Sequence, residues 1–360
     1  MHGMTASVDW EPQALGALAD PEALHTAIDV SGADPAMLRT GLERMWLIRR
    51  VEEVIADGVE RGEIKCPCHL AIGQEACAVG VADALRPGDR CFGAHRSHGH
   101  YLALGGDPYG LFAEVLGRDA GVSGGMGGSM HLQDRAHGLF GTVPIVGATI
   151  PIAVGAGLAA RMEGRGAIGV TFFGDGATEE GGFHESLNLA MTIKSPTLFV
   201  CENNLFSSHL HINLRQPHMS TSRFAAAHRL AWRLVDGNDL AAVARAANEL
   251  VADMRHTHLP AYLELVTYRW RGHVGWRDDE DVGVARKSDL PQWRGRDPIR
   301  RLEQGLADAG LLGPDDLTSL HKRVDSTVRD AWERARLAPF PRAEALLDRV
   351  YGRTRAGGAA

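Results

Sequence analysis

Residues 167–204, AIGVTFFGDGATEEGGFHESLNLAMTIKSPTLFVCENN, decide the fold. The opening AIGVTFF is a near-continuous apolar run, the pattern of a strand buried on both faces. EEGGFHESLNLAMTI (179–193) carries helical spacing, and PTLFVCE (196–202) is a second buried strand. Strand, helix, strand over this length is a βαβ crossover, which forces the two strands parallel. Downstream, DLAAVARAANELVADMRH and AYLELVTYRW repeat the alternation. The expected class is therefore α/β, a parallel sheet covered by helices on both faces.

Working outward, MLRTGLERMWLIRRVEEVIADGVERGE (37–63) places apolar residues on one helical face and stops at Gly62, and a short helix is expected over Gln74–Leu85. Residues 117–149 are dense in glycine but interleaved with Met, His, Phe and Ile, which reads as a loop approaching a ligand rather than a linker. From Asp289 onward the chain turns polar and helical. Three parts are expected: an Ala/Asp/Pro-rich N-terminal arm (1–35), an α/β domain (36–288) and a helical C-terminal extension (289–360).

Composition narrows the function. The 360 residues carry a formal net charge of -7 without a basic cluster, which argues against nucleic acid or an anionic membrane as partner. Five cysteines form no regular framework, and no apolar run is long enough to span a bilayer, so a reducing, cytoplasmic setting is expected.

In a parallel sheet, ligands bind beyond the carboxyl ends of the strands. Asp175 follows one strand and Asn203-Asn204 follows the next, so a carboxylate and an amide oxygen converge on one edge. Such a hard, oxygen-only set suits an octahedral Mg²⁺ shared with phosphate. Gly174 and Gly176 let the backbone approach that phosphate, and the following helix offers its free amides.

A rival lies in VGAGLAA (154–160), whose Gly155, Gly157 and Ala160 match a dinucleotide fingerprint, with Asp175 20 residues after Gly155. That reading leaves only Leu158 to Gly164 for a crossover helix, against the ~10–12 residues or more that a crossover requires. Residues 151–163 are instead expected to be a helix, with Gly155 and Gly157 allowing close packing on the sheet. His95, His98 and His100 lack the carboxylate or cysteine that would complete a zinc set at recognisable spacing, and Cys66 and Cys68 lack the spacing of a metal or redox pair.

The blocks GQEACAVGVADALRPGD, AHRSHG, GGMGGSMH, IVGATIP, GDGATEEGGFHESLNLA, CENN and TYRWRGH, in this order, resemble the alpha subunit of the thiamine-diphosphate-dependent first component of 2-oxo acid dehydrogenase complexes, the pyruvate, branched-chain and acetoin family. The resemblance runs from about residue 40 to the C-terminus and implies a thiamine-diphosphate-binding fold. It implies that Asp175 and Asn204 ligate Mg²⁺ by side chain and Phe206 by its carbonyl. Gly174, Gly176 and Ala177 would meet the diphosphate, Arg96 would pair a phosphate, and Ile145 and Val146 would line the aminopyrimidine pocket. His273 would sit over the diphosphate and the reacting carbon as cofactor contact and acid or base, His69 would lie near the substrate, and His95, where relatives often carry Tyr, would be a further cofactor contact.

The same resemblance implies decarboxylation of a 2-oxo acid on the cofactor and transfer of the acyl unit to a lipoyl carrier. It places the carboxylate that activates the cofactor on a separate beta subunit. An α2β2 heterotetramer follows, with a lipoyl transacylase as a further partner, and the chain alone would be inactive. An acetoin dehydrogenase or an acyloin-forming carboligase subunit is the alternative, and an NAD-binding protein the distant one. Arg271 and the atypical segment LFSSHLHINLRQP, with Ser207, His209 and His211, mark where substrate preference would differ.

Overall fold

The computed structural model describes residues 14–279 and 289–348. In chain order the helices are α1 (Pro35–Glu60), α2 (Glu75–Asp83), α3 (His98–Ala103), α4 (Pro108–Val115), α5 (Thr149–Glu163), α6 (Gly181–Ile193), α7 (Ser222–Ala227), α8 (Leu240–Thr257), α9 (Leu290–Gly295), α10 (Pro298–Asp308), α11 (Pro314–Leu337) and α12 (Ala345–Asp348). The strands are β1 (Arg90–Gly93), β2 (Leu139–Thr142), β3 (Gly169–Gly174), β4 (Thr197–Asn203), β5 (Phe206–Ser207), β6 (Leu210–His211), β7 (Ala231–Asp236) and β8 (Ala261–Val266).

A six-stranded sheet runs in the order β2-β1-β3-β4-β8-β7 with every pairing parallel. Strand residues alternate between two cores. Val170, Phe172, Leu198 and Val200 face one side, packed with residues of α1, α2 and α8. Phe173, Phe199, Cys201 and Tyr262 face the other, against α5, α6 and α7. This is the doubly covered sheet that the apolar runs imply. No helix among the described residues is long and apolar enough to cross a membrane.

The chain goes outward from β1 to β2 and returns to β3 on the other side of β1. Loops leaving β1 and β3 therefore diverge, and the crevice of such a sheet opens between them. The 155–160 glycines lie inside α5, where the dinucleotide reading needs a loop. Gly157 makes the close contact: a Cβ there would lie 2.6 Å from Ser195 Oγ and 3.0 Å from the Pro196 carbonyl. Gly155 does not, since it faces open space.

Between α4 and β2 the glycine-dense segment is organised by the chain itself. The buried Glu114 carboxylate accepts the amides of Ser123, Gly125, Gly127 and Gly128 at 2.7–3.0 Å. The ligand approached by that backbone is thus a side chain of α4, and only the later part of the segment reaches the cavity described below.

The described part of the N-terminal arm packs on the C-terminal helices. Ile28 N donates to the Arg301 carbonyl, and Leu15 joins a core cluster with Tyr268 and Trp293. Asp236, at the end of β7, accepts Arg296 at 2.9 Å and Arg301 at 2.8 Å, binding α10 and its approach to the sheet edge. Leu320, Val324 and Val328 of α11 enter the same core as α1.

Candidate functional site

The carboxyl ends of five adjacent strands converge. His95 and Arg96 follow β1, and Val146 and Gly147 lie in the turn after β2. Asp175, Gly176 and Ala177 follow β3, Asn204 and Phe206 follow β4, and His273 arrives on the loop after β8. The ladder sets their common level, since it pairs Gly174 with Glu202 and Asn203 with Val266. They enclose a cavity of about 190 Å³.

His69, His95, Arg96, Val146, Gly174, Gly176, Ala177, Asn204, Phe206 and His273 line that cavity. Ile145 does not, and its side chain is 69% exposed. Asp175 is 1% exposed, beneath the lining. Its Oδ2 is held by Arg215, which also grips Glu179, whereas its Oδ1 is buried with no hydrogen-bond partner. Burial pushes the Asp175 carboxyl above its ordinary range, and the Arg215 charge and hydrogen bond oppose that rise. An orphaned, buried carboxylate oxygen at the end of a strand is what a cation would satisfy.

Of the two asparagines, Asn203 is structural. Its amide donates to Glu264 at 2.7 Å and to the Met219 carbonyl at 3.0 Å. Asn204 turns to the cavity, where its Nδ2 donates to Gln74 at 3.3 Å and its Oδ1 accepts the Phe206 amide at 3.2 Å. Gly176 is required where it stands, because a Cβ would meet Ser207 Oγ at 2.5 Å.

Arg96 is buried and donates to the carbonyls of Leu70 at 2.6 Å and His273 at 3.2 Å, so it pins the 69–70 segment to the loop after β8. Around it stand His69, His95 and His273, with ring centroids 4.5, 4.9 and 5.3 Å apart. All three rings are held neutral. Burial is the first cause and the Arg96 charge the second, drawing His69 down to about 2, His95 to about 3 and His273 to about 4.

Of the other histidines of AHRSHGH, His98 lies away from the cavity, whereas His100 lines it. His98 bonds Glu52 and Ser129, both at 2.8 Å, and His100 bonds Glu202 at 3.0 Å while stacking on Phe172. The sulfurs of Cys66 and Cys68 lie 3.9 Å apart, away from the cavity lining, and all five cysteines are free thiols. Of the atypical segment, Ser207 and Ser208 reach the cavity, whereas His211 turns to Asn213. Arg271 lies 3.8 Å from Asp278.

Sequence reasoning misses Gln74, the Glu202–His100 pair and Arg215. Glu202 and Gln74 carry a usable signal, a polar residue beside an apolar run at a strand or helix end. Arg215 carries none, because it lies in an aperiodic excursion 40 positions from the carboxylate it holds.

Residues 43–344 match the family described as Dehydrogenase E1 component. The alpha subunit of acetoin:2,6-dichlorophenolindophenol oxidoreductase from Cupriavidus necator is 35% identical over 88% of this chain and 95% of its own length. The pyruvate dehydrogenase E1 component alpha subunit of Zymomonas mobilis is 36% identical over 88% of this chain and 89% of its own length. That of Rhizobium meliloti is 35% identical over 82% and 85%. With likeness of this extent joined to a strand-end crevice of this make-up, the chain belongs to the dehydrogenase E1 component family.

Proposed function

We propose that the chain is the alpha subunit of a thiamine-diphosphate- and Mg²⁺-dependent 2-oxo acid dehydrogenase that passes its acyl unit to a lipoyl carrier. The observation that carries this reading is the buried, partnerless Oδ1 of Asp175 at the end of β3, beside Asn204. Asp175, Asn204 and the Phe206 carbonyl would hold Mg²⁺, and Gly174, Gly176 and Ala177 would present backbone to the diphosphate. Arg215 must leave Asp175 or share it for the ion to bind. When bound, thiamine diphosphate supplies the carbanion chemistry that splits the carboxylate from a 2-oxo acid.

This chain's residues orient and desolvate. Arg96 brings positive charge to the cavity, which favours a phosphate or a substrate carboxylate. His69 and His273 are neutral at physiological pH and offer ring nitrogens as hydrogen-bond partners to the substrate, and His273 is the proposed acid or base, a role that needs a bound anion to raise its basicity. His95 lines the cavity as a proposed cofactor contact, and Ile145 and Val146 form an apolar rim, both more than 40% exposed, for the aminopyrimidine and a partner to cover. A cavity of about 190 Å³ falls below the roughly 300–1,000 Å³ of usual ligand pockets, which supports a site completed by a beta subunit in an α2β2 assembly. A lipoyl transacylase is the further partner, and the free thiols support a cytoplasmic setting.

The likeness to an acetoin oxidoreductase alpha subunit supports acetoin as a second substrate reading. Titration of thiamine diphosphate and Mg²⁺ into the chain co-expressed with its beta subunit, then assay of 2-oxo acids and acetoin with an artificial electron acceptor, separates the readings. Binding that vanishes in Asp175→Ala is the expected result. Tight NAD binding without a thiamine response overturns the assignment.

A further inference from the structure

Of the four imidazoles that line the cavity, His100 is taken up by Glu202, and the other three, His69, His95 and His273, cluster without a carboxylate among them. Among the described residues, His69, His95 and His273 are the group able to hold a metal ion, their ligand atoms all within 4.8 Å of one another. His69 is 8% exposed, and its Nδ1 is buried with no hydrogen-bond partner. An imidazole buried this deeply ordinarily finds a partner for each ring nitrogen.

We propose that His69, His95 and His273 form a site for a borderline transition-metal cation, Zn²⁺ foremost. Neutral imidazole suits Zn²⁺ and does not suit Mg²⁺, which selects carboxylate, carbonyl and water. Three histidines with one open position are a tetrahedral arrangement that Zn²⁺ accepts. Zinc–nitrogen bonds of about 2.0–2.1 Å set tetrahedral ligands roughly 3.4 Å apart, so the trio closes on an ion with side-chain shifts of ~1 Å. The rings come from three separate segments, after α1, after β1 and after β8. Arg96 ties two of these segments together through the Leu70 and His273 carbonyls.

The positive field that, after burial, helps to keep the rings unprotonated also opposes a dication. Arg96 acts on all three rings and Arg269 on His95 and His273, whereas Asp279 acts on His273 in the opposite sense. An anionic fourth ligand, chloride or a carboxylate, offsets that opposition, so the site is open and reversible rather than structural. An ion held there occupies the imidazoles assigned above to the cofactor and substrate, which makes Zn²⁺ an inhibitor. That consequence rests on the proposed function; the coordination does not.

Co²⁺ is the probe. With excess Mg²⁺ occupying oxygen sites, the full chain titrated with Co²⁺ should develop the intense visible bands of four-coordinate nitrogen ligation, and stoichiometric Zn²⁺ should bleach them. His69→Gln, His95→Phe and His273→Gln, each checked for folding by circular dichroism, should weaken binding by more than the roughly 10- to 100-fold that outer-shell changes cost. Any folded member of the set decides the matter. Asp175→Asn should keep the bands, so failure of the thiamine reading and failure of this one are separable. Weak octahedral spectra only, bands that persist in a folded histidine variant, or bands lost in Asp175→Asn overturn the proposal.

Discussion

Arg215 grips Oδ2 of Asp175 while Oδ1 of the same carboxylate is buried and unpartnered. The guanidinium thus stands in for half of a cation. Both side chains are nearly inaccessible, 7% and 1% exposed, so the pair is a buried one. Removing one member of a buried pair costs about 3–5 kcal/mol, because the other charge is stranded. Arg215→Gln should therefore lower the melting temperature of the metal-free chain, and added Mg²⁺ should recover more stability in the variant than in the parent. Mn²⁺ titration followed by electron paramagnetic resonance should show tighter binding in Arg215→Gln. Weaker binding would mean that Arg215 helps to assemble the ligands.

Glu114 offers a second test, independent of any ligand. Its carboxylate accepts four loop amides. Hydrogen bonds to a charged group contribute about 1.5–3 kcal/mol each. Glu114→Gln keeps the size but loses the charge and one acceptor oxygen. It should destabilise the chain by several kcal/mol in urea and speed hydrogen exchange at residues 121–128. Unchanged exchange there would refute the carboxylate's organising role.

The two α5 glycines should respond with opposite signs. Gly157→Ala drives a methyl against Ser195, Thr197 and the Pro196 carbonyl, an overpacking change worth about 1–3 kcal/mol of destabilisation. Gly155→Ala points to open space within a helix and should stabilise by up to about 0.8–1.0 kcal/mol. Thermal melts of both variants check this, and equal losses would contradict the packing.

His98 sets a pH dependence. Burial alone would lower its pKa, but the Glu52 charge and hydrogen bond outweigh that cost and hold it above 6.5. The folded chain then binds the proton more tightly than the unfolded one, so this contribution is complete below about pH 6.5 and is lost as pH rises through the folded value. His98→Asn should flatten the alkaline limb of a plot of stability against pH. A limb of unchanged slope would show that the proton lies elsewhere.

The crossover from β3 to β4 is legible in the sequence because continuous apolar runs of strand length have few other uses. β1 and β2 are not, since four residues carry too little periodicity to separate strand from loop. The site divides in the same way. Asp175 and Asn204 follow β3 and β4 directly, so finding the strands finds these two, whereas Phe206 comes only from the family resemblance. Glu114 and Arg215 act across chain separations that no local pattern encodes, and the glycine-dense loop misleads only over its first part, whose amides bind a glutamate, while its later part does reach the cavity. Ile145, read as lining, is turned to solvent by the turn after β2.

The main-chain ladder that pairs Gly174 with Glu202 and Asn203 with Val266 works as a jig. Tolerances at the cradle are inherited from repeating peptide geometry, not from the excursions hung upon it. Those excursions are consequently free to drift in length and chemistry, and a lineage can retool selectivity without recutting its frame.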